Sequence, residues 1–299
     1  TYVGGIDYND FQYDMVNGGR RQIGSTIKPY LYSLAMIEGI SPCDEMLHVQ
    51  QRLTDENGRL WEPRNSNKKR IGEMVSVQWG LQNSDNWVTA WLMSQLSPYT
   101  FVRLLHSFGL KNEMDPVVSI CLGTPDVSVG EMVSGYTTFA NKGIRVEPLY
   151  VTRIEDPYGN TIANFNSQMS EVLTEDASYK MLHMLKNVID GGTGGRIRAR
   201  YGIKAPMGGK TGTAQQSKVH PDHVLFAGYA PADDPQIAIT VRIANGYSSN
   251  YAAEIGRDIT KVYFDANAAK DLITGKAYIT WKGWFRRLRA GGFLVWTGW

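Results

Sequence analysis

A serine and a lysine three residues apart, Ser25 and Lys28, are the residues of this 299-residue sequence best placed to do chemistry. Pro29 follows directly, and because proline is tolerated only in the first turn of a helix, it predicts a helix that begins close to Ser25. The positive end of such a helix favours a developing alkoxide, and residues three apart share a helical face. Ser25 and Lys28 therefore predict a nucleophile with an adjacent base, if burial lowers the pKa of the lysine.

A second Ser-x-x-Lys string, Ser66 to Lys69, has the same spacing in a different context. It lies in the polar stretch 64–70, whereas the apolar residues that follow Pro29 predict a helix. We expect the second string to be a loop without a chemical role.

The tripeptide Ser84-Asp85-Asn86 offers two further groups for a site of this kind. The Ser84 hydroxyl can relay a proton, and the Asn86 amide can bind both a lysine and a substrate amide. Alone, the tripeptide is equally typical of a helix cap or a turn.

A fourth string, Lys210-Thr211-Gly212-Thr213, predicts a strand with β-branched residues and a glycine that lets another backbone approach closely. An extended peptide can add to such a strand, with Lys210 and the two threonine hydroxyls facing a carboxylate. A plain strand is the alternative interpretation of this string alone.

Three of these strings follow one another as Ser-x-x-Lys, Ser-Asp-Asn and Lys-Thr-Gly, at separations of 59 and 126 residues. This order is the signature of penicillin-binding proteins and class A β-lactamases. From about residue 2 to residue 265 the sequence resembles the transpeptidase domain of penicillin-binding proteins, mostly the bifunctional class A members; residues 223–245 are more similar to the monofunctional class B members. The resemblance is carried by Arg20 to Pro29, Trp61 to Asn65, Leu122-Gly123, Glu131 to Val133, Thr137 to Gly143, Gly191 to Gly194 and Phe226 to Pro231.

The resemblance implies a peptidoglycan D,D-transpeptidase that acylates a serine with a stem peptide ending in D-Ala-D-Ala. In this interpretation Ser25 attacks the penultimate D-Ala, Lys28 takes its proton, and Ser84 relays a proton toward the leaving D-Ala. Asn86 orients Lys28 and the substrate. An amine of a neighbouring stem peptide then resolves the acyl-enzyme and forms a cross-link.

The resemblance also implies how the substrate is held. Lys210, Thr211, Gly212 and Thr213 form the segment that binds the terminal carboxylate, and the charge of Lys210 favours neutral Lys28, which places Lys210 among the catalytic residues. The backbone N–H groups of Ser25 and Thr213 form the oxyanion hole. β-Lactams are expected to be trapped on Ser25 as slowly hydrolysed esters.

Two other activities stay open on the sequence, and a third is less favoured. A D,D-carboxypeptidase differs in using water as the acceptor, and a non-catalytic β-lactam sensor would keep the acylation residues. A β-lactamase needs a second base, and Glu131, the candidate between Asn86 and Lys210, falls on a core helix. No metal or organic cofactor is expected, and the pair His220 and His223 is interpreted as part of a polar loop.

The elements that must position these residues indicate an α+β fold, with an antiparallel sheet of about five strands flanked by helices plus an all-helical subdomain. Apolar spacing and capping residues predict helices over 97–109, 129–143, 175–190 and about 251–264. Strands are predicted at residues 2–8, in a hairpin over 150–165, and at 208–213, 224–229 and 236–241.

Composition bounds the partners and the location. A formal net charge of +2 and 42% hydrophobic residues argue against disorder and against nucleic-acid binding. Cys43 and Cys121 are too few for a disulfide scaffold; pairing with each other stays open, and two buried, small apolar side chains are the simplest expectation. Stem peptides, β-lactams as inhibitors and other cell-wall synthesis proteins are the partners that the resemblance implies.

The C-terminal segment differs from the rest. We divide the chain into a transpeptidase domain, 1–266, and a basic tail, 267–299, in which residues 272–299 carry five basic and no acidic residues and four of the eight tryptophans. Such a segment is typical of a membrane surface, although an ordinary extension explains it as well. Because the sequence starts at Thr1, we expect a fragment whose N-terminal anchor is missing, from an enzyme on the outer face of the bacterial cytoplasmic membrane.

Overall fold

The computed structural model describes residues 2–3, 9, 12–55, 57–195, 197, 206–215, 219–269 and 293–297. Its helices are α1 (Lys28–Ile37), α2 (Val77–Gln82), α3 (Asn86–Gln95), α4 (Pro98–Ser107), α5 (Val129–Ala140), α6 (Glu175–Gly191) and α7 (Ser249–Phe264), with 3-10 helices at Gly24–Ile27 and Val118–Leu122.

The strands are β1 (Tyr2–Val3), β2 (Arg21–Gln22), β3 (Glu45–Leu47), β4 (Leu53–Thr54), β5 (Leu60–Trp61), β6 (Met74–Ser76), β7 (Asp126–Val127), β8 (Ile144–Val146), β9 (Arg153–Glu155), β10 (Thr161–Asn164), β11 (Met169–Glu171), β12 (Gly208–Ala214), β13 (His223–Ala230), β14 (Ile237–Ile243) and β15 (Phe293–Thr297).

The central sheet has five strands in the order β1-β15-β14-β13-β12, and every neighbouring pair is antiparallel. Every residue of β13 and β14 is buried, because helices cover both faces of the sheet. On β13, Leu225 and Ala227 belong to the larger core with α5, whereas Val224 and Phe226 belong to a second core with α7. This alternation is the period of two expected of a strand. β12 lies at one edge of the sheet.

The helical part of the molecule is built around α1, which is buried from Lys28 to Met36. The Tyr30 ring packs edge-on against Phe108 at 4.8 Å and Tyr136 at 5.8 Å between ring centroids, and also contacts Phe139. These contacts join α1 to α4, α5 and the residues that follow them. The predicted α+β fold, with an antiparallel sheet of five strands and a separate group of helices, is confirmed.

Most predicted elements are present at the predicted positions, and their ends follow the expected chemistry. The helix expected to end at Gly143 is α5, which ends at Ala140, and Gly143 adopts φ +94°. The hairpin over 150–165 is β9 and β10. Of the strand expected at residues 2–8, β1 is present and residues 4–8 lie outside the described part.

The described part of the C-terminal tail is a strand, and the two cysteines differ in exposure. β15 lies within the segment 267–299 and pairs with β14, while most of that segment lies outside the described residues, so the division near residue 266 stays a prediction. Both thiols are free, but Cys43 is exposed, so the prediction that both are buried is wrong for it. Within the described part of the chain, no helix combines the length and the apolar character needed to span a bilayer.

Candidate active site

Ser25 lies in the 3-10 helix that leads directly into α1, where Pro29 occupies the first turn as predicted. Its side chain is half-buried, whereas the flanking Thr26 and Ile27 are fully buried. The Tyr136 hydroxyl, from α5, donates to the Thr26 carbonyl at 2.9 Å and fixes the turn against the core. The serine is thus presented on a rigid turn at the start of a buried helix.

Main-chain contacts hold this turn on both sides. Gly24 adopts φ +51°, and its N–H donates to the Gly123 carbonyl at 3.0 Å. On its other side a Cβ at Gly24 would collide with the carbonyl of Thr213 on β12. Gly123 adopts φ +88°, and a Cβ at this position would collide with the carbonyl of Gly24. Glycine is therefore required at both positions.

The Lys28 ammonium is fully buried and donates three hydrogen bonds, all to the segment 84–86. Its Nζ lies 2.7 Å from the Ser84 carbonyl, 3.2 Å from the Asp85 carbonyl and 2.7 Å from Asn86 Oδ1. Burial lowers the pKa of Lys28 to about 8, although the Asp85 carboxylate acts to raise it. Among the described residues no hydrogen bond joins Lys28 Nζ to Ser25 Oγ.

A second buried ammonium, Lys210 on β12, donates to Ser84 Oγ at 2.8 Å and to the Thr211 carbonyl at 3.0 Å. Burial lowers the pKa of Lys210 well below its ordinary value, and the charge of Lys28 lowers it further. Burial is what lowers the pKa of Lys28, as expected, and the further contribution expected from the charge of Lys210 stays a prediction. Ser84, with φ +55°, lies between the two lysines: one binds its carbonyl and the other its hydroxyl.

The threonines of β12 have different surroundings. Thr211 is buried and its hydroxyl donates to Thr193 Oγ1, which follows α6, at 3.0 Å, whereas Thr213 is exposed. Gly212 packs against Thr26, where a Cβ would lie 2.8 Å from Thr26 Cγ2. The structure therefore brings the three strings together, and the substrate-binding roles of Thr211, Gly212 and Thr213 stay predictions.

Asp85 is a site residue whose partners the sequence did not indicate. Its Oδ1 caps α3 by accepting from the Trp87 and Val88 N–H groups, at 2.9 Å and 3.0 Å. Its Oδ2 lies 3.0 Å from His48 Nε2 and 2.7 Å from Asn65 Nδ2. The tripeptide is thus both a helix cap and part of the site, so the two interpretations of it are compatible.

Further neighbours of the site come from the strings that carried the family resemblance. The Asn86 amide donates to the Arg64 carbonyl at 2.7 Å, and Asn65 and Arg64 belong to the string Trp61 to Asn65. Thr193 belongs to the string Gly191 to Gly194. His48 was a single histidine without a motif, and nothing in the sequence marked it.

Three alternatives that the sequence raised were a second nucleophile at Ser66, a second base at Glu131 and a metal site. Ser66 is exposed in a loop, as expected. Glu131 forms a capping box with Ser128 and a bidentate ion pair with Arg20, at 2.6 Å and 2.9 Å. Burial acts to raise the pKa of Glu131, but hydrogen bonds from Arg20 and from the backbone of Ser128 and Lys111 lower it on balance. In the described part of the chain, no group of three or more His, Cys, Asp or Glu side chains is arranged to hold a metal ion.

Comparison with known proteins identifies the family. Residues 6–261 match the family model of the penicillin binding protein transpeptidase domain. The chain is 29% identical over 253 residues to penicillin-binding protein 1A of Rickettsia conorii, covering 77% of this chain and 31% of that protein. It is 30% identical over 189 residues to penicillin-binding protein 2D of Bacillus subtilis, covering 63% of this chain and 27% of that protein. The chain thus spans about a third of the length of these relatives.

Solved structures show the same fold. Penicillin-binding protein 1A from Haemophilus influenzae superposes with a TM-score of 0.73 at 20% identity, over 88% of this chain and 45% of that one. The imipenem acyl-enzyme complex of penicillin-binding protein A from M. tuberculosis superposes with a TM-score of 0.71 at 17% identity, over 85% of this chain and 62% of that one. The chain belongs to the penicillin binding protein transpeptidase domain family.

Proposed function

We propose that this domain is a serine D,D-transpeptidase that cross-links peptidoglycan stem peptides. The observation that carries the proposal is one hydrogen-bond network through all three strings, in which Lys28 binds Ser84 and Asn86 while Lys210 binds Ser84 Oγ. A buried lysine with its pKa lowered to about 8 is an effective base near neutral pH, and it follows the half-buried Ser25 by one turn.

In the first step, Ser25 Oγ forms a bond to the carbonyl carbon of the penultimate D-Ala while its proton passes to neutral Lys28. The C–N bond to the terminal D-Ala then breaks, and its nitrogen takes the proton held by Lys28, relayed through the Ser84 hydroxyl, which accepts from Lys210 at 2.8 Å. An acceptor amine next forms a C–N bond to the ester carbonyl carbon and gives a proton to neutral Lys28. The ester C–O bond breaks, and Ser25 Oγ takes that proton and is regenerated. No net proton is gained or lost over the cycle.

The edge strand β12 suits the binding of an extended peptide. On its outer side β12 pairs with no other strand of the described sheet, so a substrate strand could add there. Thr213 is exposed on this strand and is proposed to bind the terminal carboxylate, together with Lys210 from beneath. The N–H groups of Ser25 and Thr213 are the proposed oxyanion hole, since the turn of Ser25 and β12 are in main-chain contact.

Acylation by β-lactams is part of the proposal. The M. tuberculosis relative is an acyl-enzyme with imipenem in its solved complex, and this chain shares its fold. Slow hydrolysis of such an ester is expected here, because Glu131 accepts hydrogen bonds from Arg20 and from two backbone N–H groups instead of holding a water. β-Lactamase activity is accordingly less favoured. Carboxypeptidase activity and a sensor role differ from the proposal in the fate of the acyl-enzyme.

The relatives' names also suggest the setting. We propose that the domain acts at the outer face of the cytoplasmic membrane, together with other cell-wall synthesis proteins. Contact with the membrane would come from segments beyond the transpeptidase domain, either an N-terminal anchor or residues 272–299.

Labelling with a fluorescent penicillin tests the proposal. Wild-type protein should retain a covalent label on a denaturing gel for hours, and Ser25→Ala should retain none. Ser66→Ala, which changes the serine of the second Ser-x-x-Lys string, is the matched control and should label as wild type. A cross-linked product from a stem-peptide donor and an amine acceptor would separate the transpeptidase from a carboxypeptidase and from a sensor. Undiminished label on Ser25→Ala would refute the assignment.

A further inference from the structure

A buried histidine outside the three strings contacts the site through Asp85. His48 Nε2 lies 3.0 Å from Asp85 Oδ2, and both side chains have no exposed surface. The His48 backbone is anchored on both sides, since its N–H donates to the Glu73 carbonyl at 2.8 Å and its carbonyl accepts from Gly72 at 3.0 Å. Main-chain hydrogen bonds therefore hold the backbone of His48 independently of the contacts of its ring.

The polar contacts of the His48 ring are made at Nε2, which lies 3.0 Å from Asp85 Oδ2 and 3.4 Å from Asn65 Nδ2. It packs between Trp79 and Trp87, with ring centroids 5.2 Å and 5.0 Å away. Asp85 Oδ2, which can only accept, requires a proton on Nε2. Nδ1 is buried without a hydrogen-bond partner among the described residues. Nε2 is thus the ring atom through which His48 acts on Asp85.

The buried Asp85 carboxylate accepts from four donors. Oδ1 accepts from two backbone N–H groups, and Oδ2 accepts from His48 and Asn65. A buried carboxylate requires such hydrogen bonds. Its negative charge acts on Lys28, whose pKa it raises against the effect of burial.

Asp85 also fixes the groups that bind Lys28. The Asp85 carbonyl is one of the three acceptors of the ammonium, and the other two belong to Ser84 and Asn86 on either side. A displacement of the Asp85 side chain would move all three acceptors together. An error of about 1 Å in the position of a reacting group can cost about a hundredfold in rate.

We propose that His48 is a positioning residue for serine acylation: its hydrogen bond to Asp85 holds segment 84–86 so that this segment keeps the Lys28 amine at the nucleophile. This inference rests on the proposed function. It assigns to His48 no contact with substrate, and it predicts an effect on the acylation rate constant rather than on the initial binding of a β-lactam.

The test is saturation kinetics with a fluorescent penicillin, which separates the dissociation constant of the non-covalent complex from the acylation rate constant. His48→Leu should lower the rate constant about 10- to 100-fold and leave the dissociation constant within about twofold. His48→Gln, which can place an amide N–H near the position of Nε2, should restore most of the rate. His183→Leu, which changes an exposed histidine of α6, is the control and should behave as wild type.

Equal rate constants for wild type and His48→Leu would overturn the inference. So would a His48→Gln rate as low as that of His48→Leu, because the ring and not its hydrogen bond would then matter. If thermal melting shows that His48→Leu does not fold, His48→Asn replaces it, since the amide of asparagine corresponds in position to Nδ1 of the ring rather than to Nε2. An unchanged His48→Asn rate constant would then overturn the proposal. Absence of label on wild type would instead refute the proposed function itself.

Discussion

We expect the buried amine of Lys28 to set the pH dependence of acylation. With a pKa of about 8, the amine is about 9% neutral at pH 7 and about 91% neutral at pH 9. If neutral Lys28 takes the Ser25 proton, the acylation rate constant should rise about tenfold between these pH values. A lysine with the ordinary pKa of 10.5 would be only about 0.03% neutral at pH 7.

Removing the charge of Asp85 should change the pKa of Lys28 in a known direction. Its carboxylate raises the pKa of Lys28, so Asp85→Asn should lower that pKa and move the midpoint of the rising limb below about pH 8. Asparagine is as good a helix cap as aspartate, so α3 should keep its start. The rate at the plateau should fall because the new amide NH2 faces the donors His48 and Asn65. The midpoint, not the plateau, is therefore the quantity to compare.

Quenched-flow measurement of label incorporation from pH 6 to pH 10, at constant ionic strength, gives both quantities. Lys180→Met is the matched control, because Lys180 is a lysine of α6 paired with Asp176 at the surface, and its removal should leave the midpoint unchanged. A rate constant that does not change between pH 7 and pH 9 would refute Lys28 as the base. A midpoint that moves to higher pH in Asp85→Asn would refute the sign of its charge effect.

Three further predictions concern folding and reactivity. Gly24→Ala should abolish labelling and lower the melting temperature, whereas Gly39→Ala, also at positive φ but with open space around it, should lose about 1 kcal/mol and label normally. One thiol, Cys43, should react with a thiol reagent in the native protein and two after unfolding, because burial raises the pKa of Cys121 to about 12. Glu131→Gln should lower the free energy of unfolding by about 2 kcal/mol at pH 7. Since the pKa of Glu131 is lowered in the folded state, this difference should shrink as denaturation is measured from pH 5 down to pH 3.

Local patterns in the sequence were sufficient for the larger elements. Proline and glycine at helix ends and apolar spacing located α4, α5 and α6, and short segments of apolar and β-branched residues located β12 to β14. Apart from β1, the two-residue strands were not predicted, because they exist through pairing with distant segments. β2 and β7 form such a pair, in which Arg21 lies opposite Val127.

In the candidate site, too, local motifs could be recognised in the sequence, whereas contacts between distant segments could not. Ser25, Lys28 and the strings at 84–86 and 210–213 could be found because each carries its chemistry in a few adjacent residues. The hydrogen bond of His48 to Asp85 joins residues 37 positions apart, and no local pattern encodes it. The exposure of Cys43 likewise depends on the packing of its surroundings, which residue type alone does not determine.

The contact of Gly24 with Gly123 and with the Thr213 carbonyl has a consequence for the thermodynamics of binding. Where side chains position a nucleophile, part of their rotamer entropy is lost when the substrate arrives. Here three main-chain segments set the position of Ser25, so that entropy is lost when the chain folds. The turn that carries Ser25 should accordingly be equally ordered with and without a ligand on the picosecond to nanosecond timescale. Its amide order parameters should be about 0.85 in both states.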